Sequence, residues 1–449
     1  MLISRDSIAT PAPPTQKQVQ ASVSSVGSGN QKLLSVVLAL FATFFALTHF
    51  VRDHYIARAS GYLSSDHRTP APIDFNMIYL GATDLRDHYS PRDPRRPTKE
   101  LEKELHTTAA MYFPLFTGLL YVPLTYFNLK TAQVIWLTMS LAFVIPSIWL
   151  IAWLSSRRTG FVEIAFVTFL AISSAPLRFV LDFGQVNNFI LLLLAAAMVL
   201  SEHRRDYSAG ATLLAAALLK PIPALLFLPF ILGRRWRVLV GAVGGCAGIV
   251  GLSTAIWGWG ILAEMIGPIV KYSQSPFDRP INQSIDGFLL RSFTENQFAT
   301  CWLNNPLLAQ ILWFAAAALL MGAAVLTTLK RPSNIVLNCC LWLSLALLIS
   351  PISLEHYFVW LLMPLCVLSR QFLEQKRWFA LSGVLVSYLL LNFSPTAIES
   401  LSRFQHGLWM LLCNLPMFAI LALYGLTMYA LHTEQSLVND EEPPIFAKG

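Results

Sequence analysis

Long apolar segments are the feature that most constrains this chain. Residues 33–51, 131–154 and 407–431 are each long enough to cross a hydrocarbon core of about 30 Å as a helix. They lack the two-residue alternation of a membrane β-barrel, the other architecture that satisfies backbone polar groups in lipid. Only 13% of the 449 residues are charged, against about 25% in soluble proteins. We therefore predict an all-α polytopic membrane protein.

The net charge of +7 is explained by topology rather than by a nucleic-acid partner. The basic residues are not gathered in one soluble domain. They lie in pairs at the ends of apolar segments, as is typical of short cytoplasmic loops. The pairs are Arg157-Arg158, Arg204-Arg205, Arg234-Arg235, Lys330-Arg331 and Lys376-Arg377.

Placing these pairs in the cytoplasm predicts a single transmembrane domain, 33–431, of about 10–12 helices. Segments 109–128 and 207–233 are broken by prolines, and each could be a hairpin of two short helices or a single span. The flanking tails, 1–32 (disordered) and 432–449, are expected to be cytoplasmic. The predicted full spans are 33–51, 131–154, 160–176, 187–201, 237–257, 306–328, 335–350, 357–369, 378–393 and 407–431.

With this topology the polar clusters of the chain all face the extracytoplasmic side. Two of them lie in or next to the large external segments 52–108 and 258–304, the first of which should contain short interfacial helices. Four converging polar loops indicate a site at the membrane surface. The clusters are Asp74-Phe75, Gly184-Gln185-Val186-Asn187-Asn188, Asn282-Gln283-Ser284 and 350–357.

Asp74 is the strongest candidate base, because it follows a proline-rich approach and begins an apolar helix. It could accept a proton from a substrate hydroxyl, or it could simply cap that helix. Gln185, Asn187 and Asn188 suit sugar hydroxyls, although a glycine turn with amide caps has the same composition. Lys220 lies within an apolar segment, where ionisable residues are functional candidates; capping a half-helix ended by Pro221 is the alternative.

The later clusters offer anion-binding groups. Asn282-Gln283-Ser284 also matches the N-glycosylation pattern, and Arg291 nearby has a guanidinium suited to phosphate. Glu355-His356-Tyr357 follows a helix end at Ser350-Pro351. His356 can be a packed residue, or, with Glu355 beside it, a phosphate partner or proton relay.

Taken together, the chain resembles glycosyltransferase family 87, the polyprenyl-phosphate-mannose-dependent mannosyltransferases with a glycosyltransferase-C fold. The resemblance runs from about Leu33 to Leu431. Its motifs are Asp74-Phe75, Tyr112-Phe113-Pro114-Leu115, Gly184-Gln185-Val186-Asn187, Gly210 with Leu219-Lys220-Pro221, Arg234-Arg235-Trp236-Arg237, Asn282-Gln283-Ser284 and Ser350-Pro351-Ile352-Ser353 with His356-Tyr357.

This resemblance implies that Asp74 is the catalytic base and that His356 lies near the donor phosphate. The remaining motif residues, Tyr112 among them, would then line the donor and acceptor pockets. The charged stretch 86–106 is longer and more polar than the family pattern, which leaves the acceptor open. A bacterial inner membrane location, with the site on the extracytoplasmic face, is expected.

The chemistry needs no cofactor. A polyprenyl phosphate is already a good leaving group, and direct displacement would invert a β-linked donor to an α-glycoside. No Asp-x-Asp triplet occurs in the external loops, so we expect no metal and predict that added chelator leaves activity unchanged. The partners expected are a polyprenyl-phosphate sugar, a glycolipid or glycan acceptor and membrane lipids.

Two other classes remain open. A glycan ligase or polymerase that uses a lipid-diphosphate donor also has polar external loops, but it usually carries several arginines there, whereas 258–304 has only Arg279 and Arg291. A transporter would favour repeated halves and polar groups at the bilayer midplane. Neither feature is visible in this sequence.

Overall fold

The computed structural model describes residues 42–64, 71–90, 93–156, 160–264, 277–395, 401 and 406–440, with the side chains of 64 and 434–440 excepted. Within these ranges the regular elements are helices and no strand occurs, apart from one isolated antiparallel bridge between Asn282 and Leu354. The all-α prediction is confirmed. The predicted tail 1–32 lies outside the described residues.

Most of the helices are joined by short turns. Short π or 3-10 helices cover Val51–Ile56, Val122–Tyr126, Ile222–Phe227, Glu355–Leu361 and Gly407–Asn414. The α-helices are α1 Ala57–Ser64, α2 Ile73–Arg86, α3 Lys99–Glu104, α4 Pro114–Leu120, α5 Leu129–Ser156, α6 Phe161–Ile172, α7 Ala175–Phe183, α8 Asn187–Glu202, α9 Asp206–Leu219, α10 Leu228–Leu232, α11 Trp236–Trp257, α12 Ile285–Phe293, α13 Pro306–Lys330, α14 Ile335–Ile349, α15 Leu362–Glu374, α16 Trp378–Leu391 and α17 Leu415–Asp440.

Five helical segments of the described chain are long and apolar enough to cross a membrane: α5, α11, α13, Glu355–Glu374 and Gly407–Thr433. A sixth is possible if α6 and α7, bent by 59° at their junction, form one span. The polytopic membrane class is thus confirmed. Five more apolar helices of the described chain have 10–17 residues. The predicted number of about 10–12 spans is reached only if these shorter helices are counted as spans.

The predicted helix limits are close to the observed ones where the apolar run is uninterrupted. The spans predicted at 131–154, 187–201, 237–257 and 306–328 correspond to α5, α8, α11 and α13, each within two residues at either end. Such agreement follows because the hydrocarbon thickness sets the length of an apolar helix.

Segment 207–233 is a hairpin of two short helical pieces. The first piece, α9, ends before Lys220-Pro221, and a proline inside a helix removes a hydrogen bond. Beyond the hairpin, Arg235 donates to the Ser201 hydroxyl (2.7 Å) and pairs with Asp206, which begins α9. The segment therefore begins and ends at one end of the bundle, and Lys220 lies at its far tip.

The basic pairs within the described residues lie at the end of the bundle where α8 finishes and α9 begins, which we call the basic end. Arg331, after α13, donates to the carbonyl of Leu431 near the end of the last apolar segment (3.2 Å). Trp153, near the end of α5, stacks on His203 after α8, with ring centroids 4.7 Å apart. The opposite end, which contains Lys220, is called the polar end.

The polar stretch after α2 is folded back onto that helix. Asp84 is fully buried and accepts a hydrogen bond from the Thr98 hydroxyl (2.8 Å), and Arg96 bridges Asp84 (3.5 Å) and Glu102 (2.5 Å). Short helices predicted in 52–108 are present as α2 and α3. Further along, the Ala110 N–H donates to the Met77 carbonyl (3.0 Å), which places the following residues beside the start of α2.

Candidate active site

Asp74 lies in the first turn of α2, half-buried at the polar end. The cap position belongs to Pro72, and no side chain caps the helix, so the alternative of a capping aspartate is wrong. Its carboxylate instead accepts a hydrogen bond from the Gln185 side-chain amide. Burial raises the pKa of Asp74 above its ordinary value, while the Gln185 hydrogen bond and the charge of Lys220 act in the opposite direction.

Gly184 turns the chain so that Gln185 can reach Asp74. It ends α7 in the left-handed conformation, with φ of 67°, and the Trp136 indole N–H donates to its carbonyl (2.8 Å). A Cβ on Gly184 would lie 2.5 Å from the Cβ of Phe75, the neighbour of Asp74. The backbone of this turn is therefore in direct contact with the start of α2.

We predict that Gly184→Ala destabilises the protein by about 2–4 kcal/mol, because it adds left-handed strain to a core overlap. Gly407→Ala is the matched control: Gly407 also has positive φ, 55°, but nothing lies within 4 Å of its Cβ position. That variant should lose only about 1–2 kcal/mol. Thermal unfolding in detergent measures both, and equal losses would contradict the proposed contact with α2.

Gln185 links three other polar side chains. Its amide nitrogen donates to Asp74, and its oxygen accepts from the Lys220 ammonium (2.8 Å) and, at 3.5 Å, from the Tyr112 hydroxyl. Gln185 and Lys220 are both buried, 7% and 8% exposed. The structure therefore joins a carboxylate and an ammonium through one neutral amide.

Lys220 is the first residue after α9 and has an extended backbone. Its ammonium lies 4.0 Å from the centroid of the Tyr357 ring, a cation–π distance. Lys220 therefore does follow the end of a helix, as the capping alternative requires, but its ammonium is directed to Gln185 and Tyr357. Neither Gln185 nor the Tyr357 ring carries a negative charge, and the carboxylate that acts on the ammonium electrostatically is that of Asp74.

His356 lies beside this group, on the 3-10 helix Glu355–Leu361. The side-chain amide of Asn187 donates to its backbone carbonyl (3.0 Å), and its ring contacts Phe183 and Tyr357, with centroids 5.8 and 4.8 Å away. The ring is 5% exposed, and its Nε2 has no hydrogen-bond partner among the described residues. A buried polar atom without a partner is rare enough to require an explanation, and a bound substrate group would provide one.

Glu355 and Asn188 are also buried, but they turn towards other elements. A Glu355 carboxylate oxygen accepts from the Ser394 hydroxyl (3.4 Å). The Asn188 amide donates to the hydroxyl and carbonyl of Ser140 on α5 (2.9 and 3.3 Å). This geometry favours a role for Asn188 in fixing α8 against α5.

The third cluster and Arg291 hold the loop that precedes His356. Asn282 donates to the Pro351 carbonyl and accepts from the Ser353 N–H (both 2.8 Å). Gln283 bonds the carbonyls of Pro280 (2.6 Å) and Cys413 (2.8 Å), and Ser284 caps α12. Arg291 is 1% exposed and donates to the carbonyls of residues 278, 279 and 282. These contacts favour a supporting role.

Aromatic residues that sequence reasoning did not identify pack together at the start of α2, next to Asp74. Trp136 and Tyr121 have ring centroids 4.3 Å apart, and Phe75 packs against both. The only available signal was their position near the polar ends of apolar segments, where buried aromatic residues are common. Phe183, whose ring contacts that of His356, was likewise not identified from its sequence context.

The site offers a half-buried carboxylate, an ammonium and an imidazole nitrogen, all at one end of the bundle. Among the described residues, no group of three or more His, Cys, Asp or Glu side chains could hold a metal ion. A carboxylate that can accept a proton, next to an ammonium that can bind an anion, suits a transfer reaction in which a negatively charged group departs.

Comparison with known protein families and proteins identifies the family of this chain. The model of glycosyltransferase family 87 matches residues 112–351, more than half of the chain. One relative is a polyprenol-phosphate-mannose-dependent alpha-(1-2)-phosphatidylinositol pentamannoside mannosyltransferase of Mycolicibacterium smegmatis, 27% identical over 302 residues, 64% of this chain and 70% of the relative.

A second relative from the same organism is a polyprenol-phosphate-mannose-dependent alpha-(1-2)-phosphatidylinositol mannoside mannosyltransferase, 28% identical over 237 residues. The match covers 51% of this chain and 51% of the relative, so the chain spans about half of the length of that protein. The chain belongs to glycosyltransferase family 87, and it is a membrane glycosyltransferase.

Proposed function

We propose that this protein transfers mannose from a polyprenyl-phosphate donor to a lipid-linked or glycan acceptor, with inversion to an α-glycoside. The observation that supports this most directly is the connection from Asp74 through Gln185 to Lys220, with the unpartnered imidazole nitrogen of His356 beside it. The names of the two relatives support the donor and the sugar.

In this mechanism the acceptor hydroxyl is the nucleophile and Asp74 is its general base. The acceptor oxygen attacks the anomeric carbon, and the bond between that carbon and the phosphate oxygen breaks. The bonding electrons leave with the polyprenyl phosphate, and the hydroxyl proton passes to Asp74. Lys220 and the His356 ring would stabilise the phosphate, and Gln185, Asn187 and Tyr112 would orient the sugar.

The polar end is assigned to the extracytoplasmic face of a bacterial inner membrane. The basic pairs that the structure describes lie at the opposite end, and short loops rich in Lys and Arg favour the cytoplasm. A lipid donor and a lipid-linked acceptor can both reach such a site from the bilayer. Since both relatives are named for phosphatidylinositol mannoside acceptors, a phosphoglycolipid is the first acceptor to test.

The test is transfer by purified protein in detergent. Polyprenyl phosphate carrying radiolabelled mannose would be offered together with a glycolipid extract as acceptor, and polyprenyl-phosphate arabinose and glucose would serve as comparison donors. Label appearing in a new glycolipid only from the mannose donor supports the proposal. Transfer from a lipid diphosphate instead would favour a glycan ligase.

The acid limb of the pH profile should lie above the ordinary pKa of an aspartate. Asp74 must be ionised to act as base, and its pKa is raised by burial, so kcat/KM should fall as the pH drops through this raised value. Gln185→Leu removes the hydrogen bond that lowers the Asp74 pKa, and the limb should then move to higher pH. A limb that stays fixed in the variant would show that another group controls it.

A further inference from the structure

A group of basic side chains lies outside the site, on the other side of α7. Arg58, on α1, places its Nη1 3.1 Å from the Nδ1 of His54 and pairs through Nη2 with Asp182 on α7. Asp182 and Arg58 are only 30% and 17% exposed. The ion pair joins helix α1 to the last turn of α7, immediately before the glycine turn at Gly184.

Arg178 adds a second guanidinium to this group. It lies one turn before Asp182 on α7, and residues four apart share a helix face. It is close enough to Arg58 and His54 to interact with both electrostatically, and its side chain has no hydrogen bond among the described residues. The His54 nitrogen accepts from Arg58 and adds no charge, and Asp53 beside it is paired with Arg52. Two guanidinium groups therefore face the single carboxylate of Asp182, which leaves an excess of positive charge.

An apolar cavity of about 530 Å³ lies beyond the start of α7, within the usual size range of ligand pockets. Tyr388 lines this cavity, and Asn392, four residues further along, accepts a hydrogen bond (2.6 Å) from the N–H of Ala175, three residues before Arg178. It runs between residues 42–43, α6, α15 and α16, and its far end has the ion pair of Glu163 with Arg370 (3.4 Å). Tyr388, at its near end, interacts electrostatically with Arg178. The other lining side chains include Phe166, Phe169, Leu365, Leu381 and Val384.

We propose that the cluster and the cavity together bind one anionic glycerophospholipid. Its phosphate would lie between Arg178 and Arg58, because guanidinium groups bind phosphate oxygens in paired hydrogen bonds, and an acyl chain would occupy the cavity. The positive charge of the cluster matches the phosphate of an anionic glycerophospholipid, and the apolar cavity matches its acyl chain.

The alternative occupant, the polyprenyl-phosphate donor, fits this place less well. Phe183 contacts His356, whereas Arg178 and Asp182 lie on the face of α7 that meets α1. A donor phosphate is already assigned to Lys220 and His356, and the inference rests on the proposed function in this respect only. The lipid at Arg178 would therefore be a second lipid, adjacent to the catalytic group.

Native mass spectrometry of delipidated protein would test this. The protein would be offered phosphatidylglycerol and phosphatidylcholine of equal chain length. Wild type should retain phosphatidylglycerol at least about ten-fold better, the usual effect of one charge-assisted contact. Arg178→Gln should lose this preference, and Ser369→Phe, which fills the cavity, should weaken the binding of phosphatidylglycerol. Arg237→Gln, an exposed basic residue at the basic end, is the control that should behave as wild type.

Equal retention of the two lipids by wild type, or an unchanged preference in Arg178→Gln, would overturn the proposal. Arg178-dependent binding of polyprenyl phosphate, without binding of phosphatidylglycerol, would also overturn it and assign the cluster to the donor. Asp74→Asn should retain phosphatidylglycerol as wild type does. Since the assay needs no turnover, failure of mannose transfer and failure of lipid binding are separate results.

Discussion

Asp74→Asn is expected to lower the rate of sugar transfer by about 10²–10⁴-fold, the usual contribution of a general base. The amide has nearly the shape of the carboxylate, so the contact with Gln185 and the fold should persist. The Michaelis constant for the donor should change little, because Asp74 acts on the acceptor hydroxyl. Initial rates at saturating donor and acceptor measure the effect.

Asp87→Asn is the matched control for this experiment. Asp87 follows the last turn of the same helix and pairs with Arg86 (2.8 Å), far from Gln185. It should transfer sugar at the wild-type rate. Loss of activity in both variants would indicate that the charge of α2, rather than a proton transfer at Asp74, is what the reaction requires.

Lys220→Met is expected to lower kcat by about 10²–10³-fold, the range seen when one group that stabilises developing charge is removed. Its effect on stability should be small, because two contributions oppose each other. The variant loses the hydrogen bond to Gln185 and the positive charge that acts on Asp74. It also no longer buries an ammonium in an apolar segment, and burying that charge is itself costly.

The combination distinguishes a functional lysine from a structural one. A lysine kept for stability would lower the thermal midpoint when lost and leave the kcat of the folded protein unchanged. Lys103→Met, an exposed residue paired with Glu100 (3.0 Å), controls for the loss of a positive charge. Thermal unfolding and steady-state kinetics on the same preparations give both quantities.

The helical framework was predictable because membrane thickness and the basic pairs constrain it directly. The last residue of α8, Glu202, and the first residue of α11, Trp236, lie at the limits of apolar runs. The hairpin at Lys220-Pro221 was left open by sequence, since its length also fits one span. Only the contact of Arg235 with Asp206, between residues far apart in the chain, places its two ends together.

The candidate site was predictable in composition but not in arrangement. Asp74, Gln185, Lys220 and His356 were identified from polar residues in apolar surroundings, and the structure places them together. Sequence could not tell that Lys220 reaches Gln185, because its depth in the membrane depends on the hairpin. Sequence also could not show that Arg291 donates to backbone carbonyls, because a guanidinium can donate both to phosphate oxygens and to the carbonyls of a loop.

The buried carboxylate of Asp84 shows why charge alone misleads. It lies next to the charged stretch 86–106, yet it is fully buried against Thr98 and Arg96. Burial raises its pKa as it does that of Asp74. Pairing with Arg96 indicates that Asp84 stabilises the loop after α2, which carries the chain towards Tyr112.

The most direct test of the central claim is the fate of the sugar from radiolabelled polyprenyl-phosphate mannose. The account predicts that wild type moves label into a lipid product from which an α-mannosidase releases it, and that Asp74→Asn, folded and purified in equal yield, does not. Transfer that persists at the wild-type rate in Asp74→Asn, or a product resistant to α-mannosidase, would contradict an inverting mechanism with Asp74 as its base.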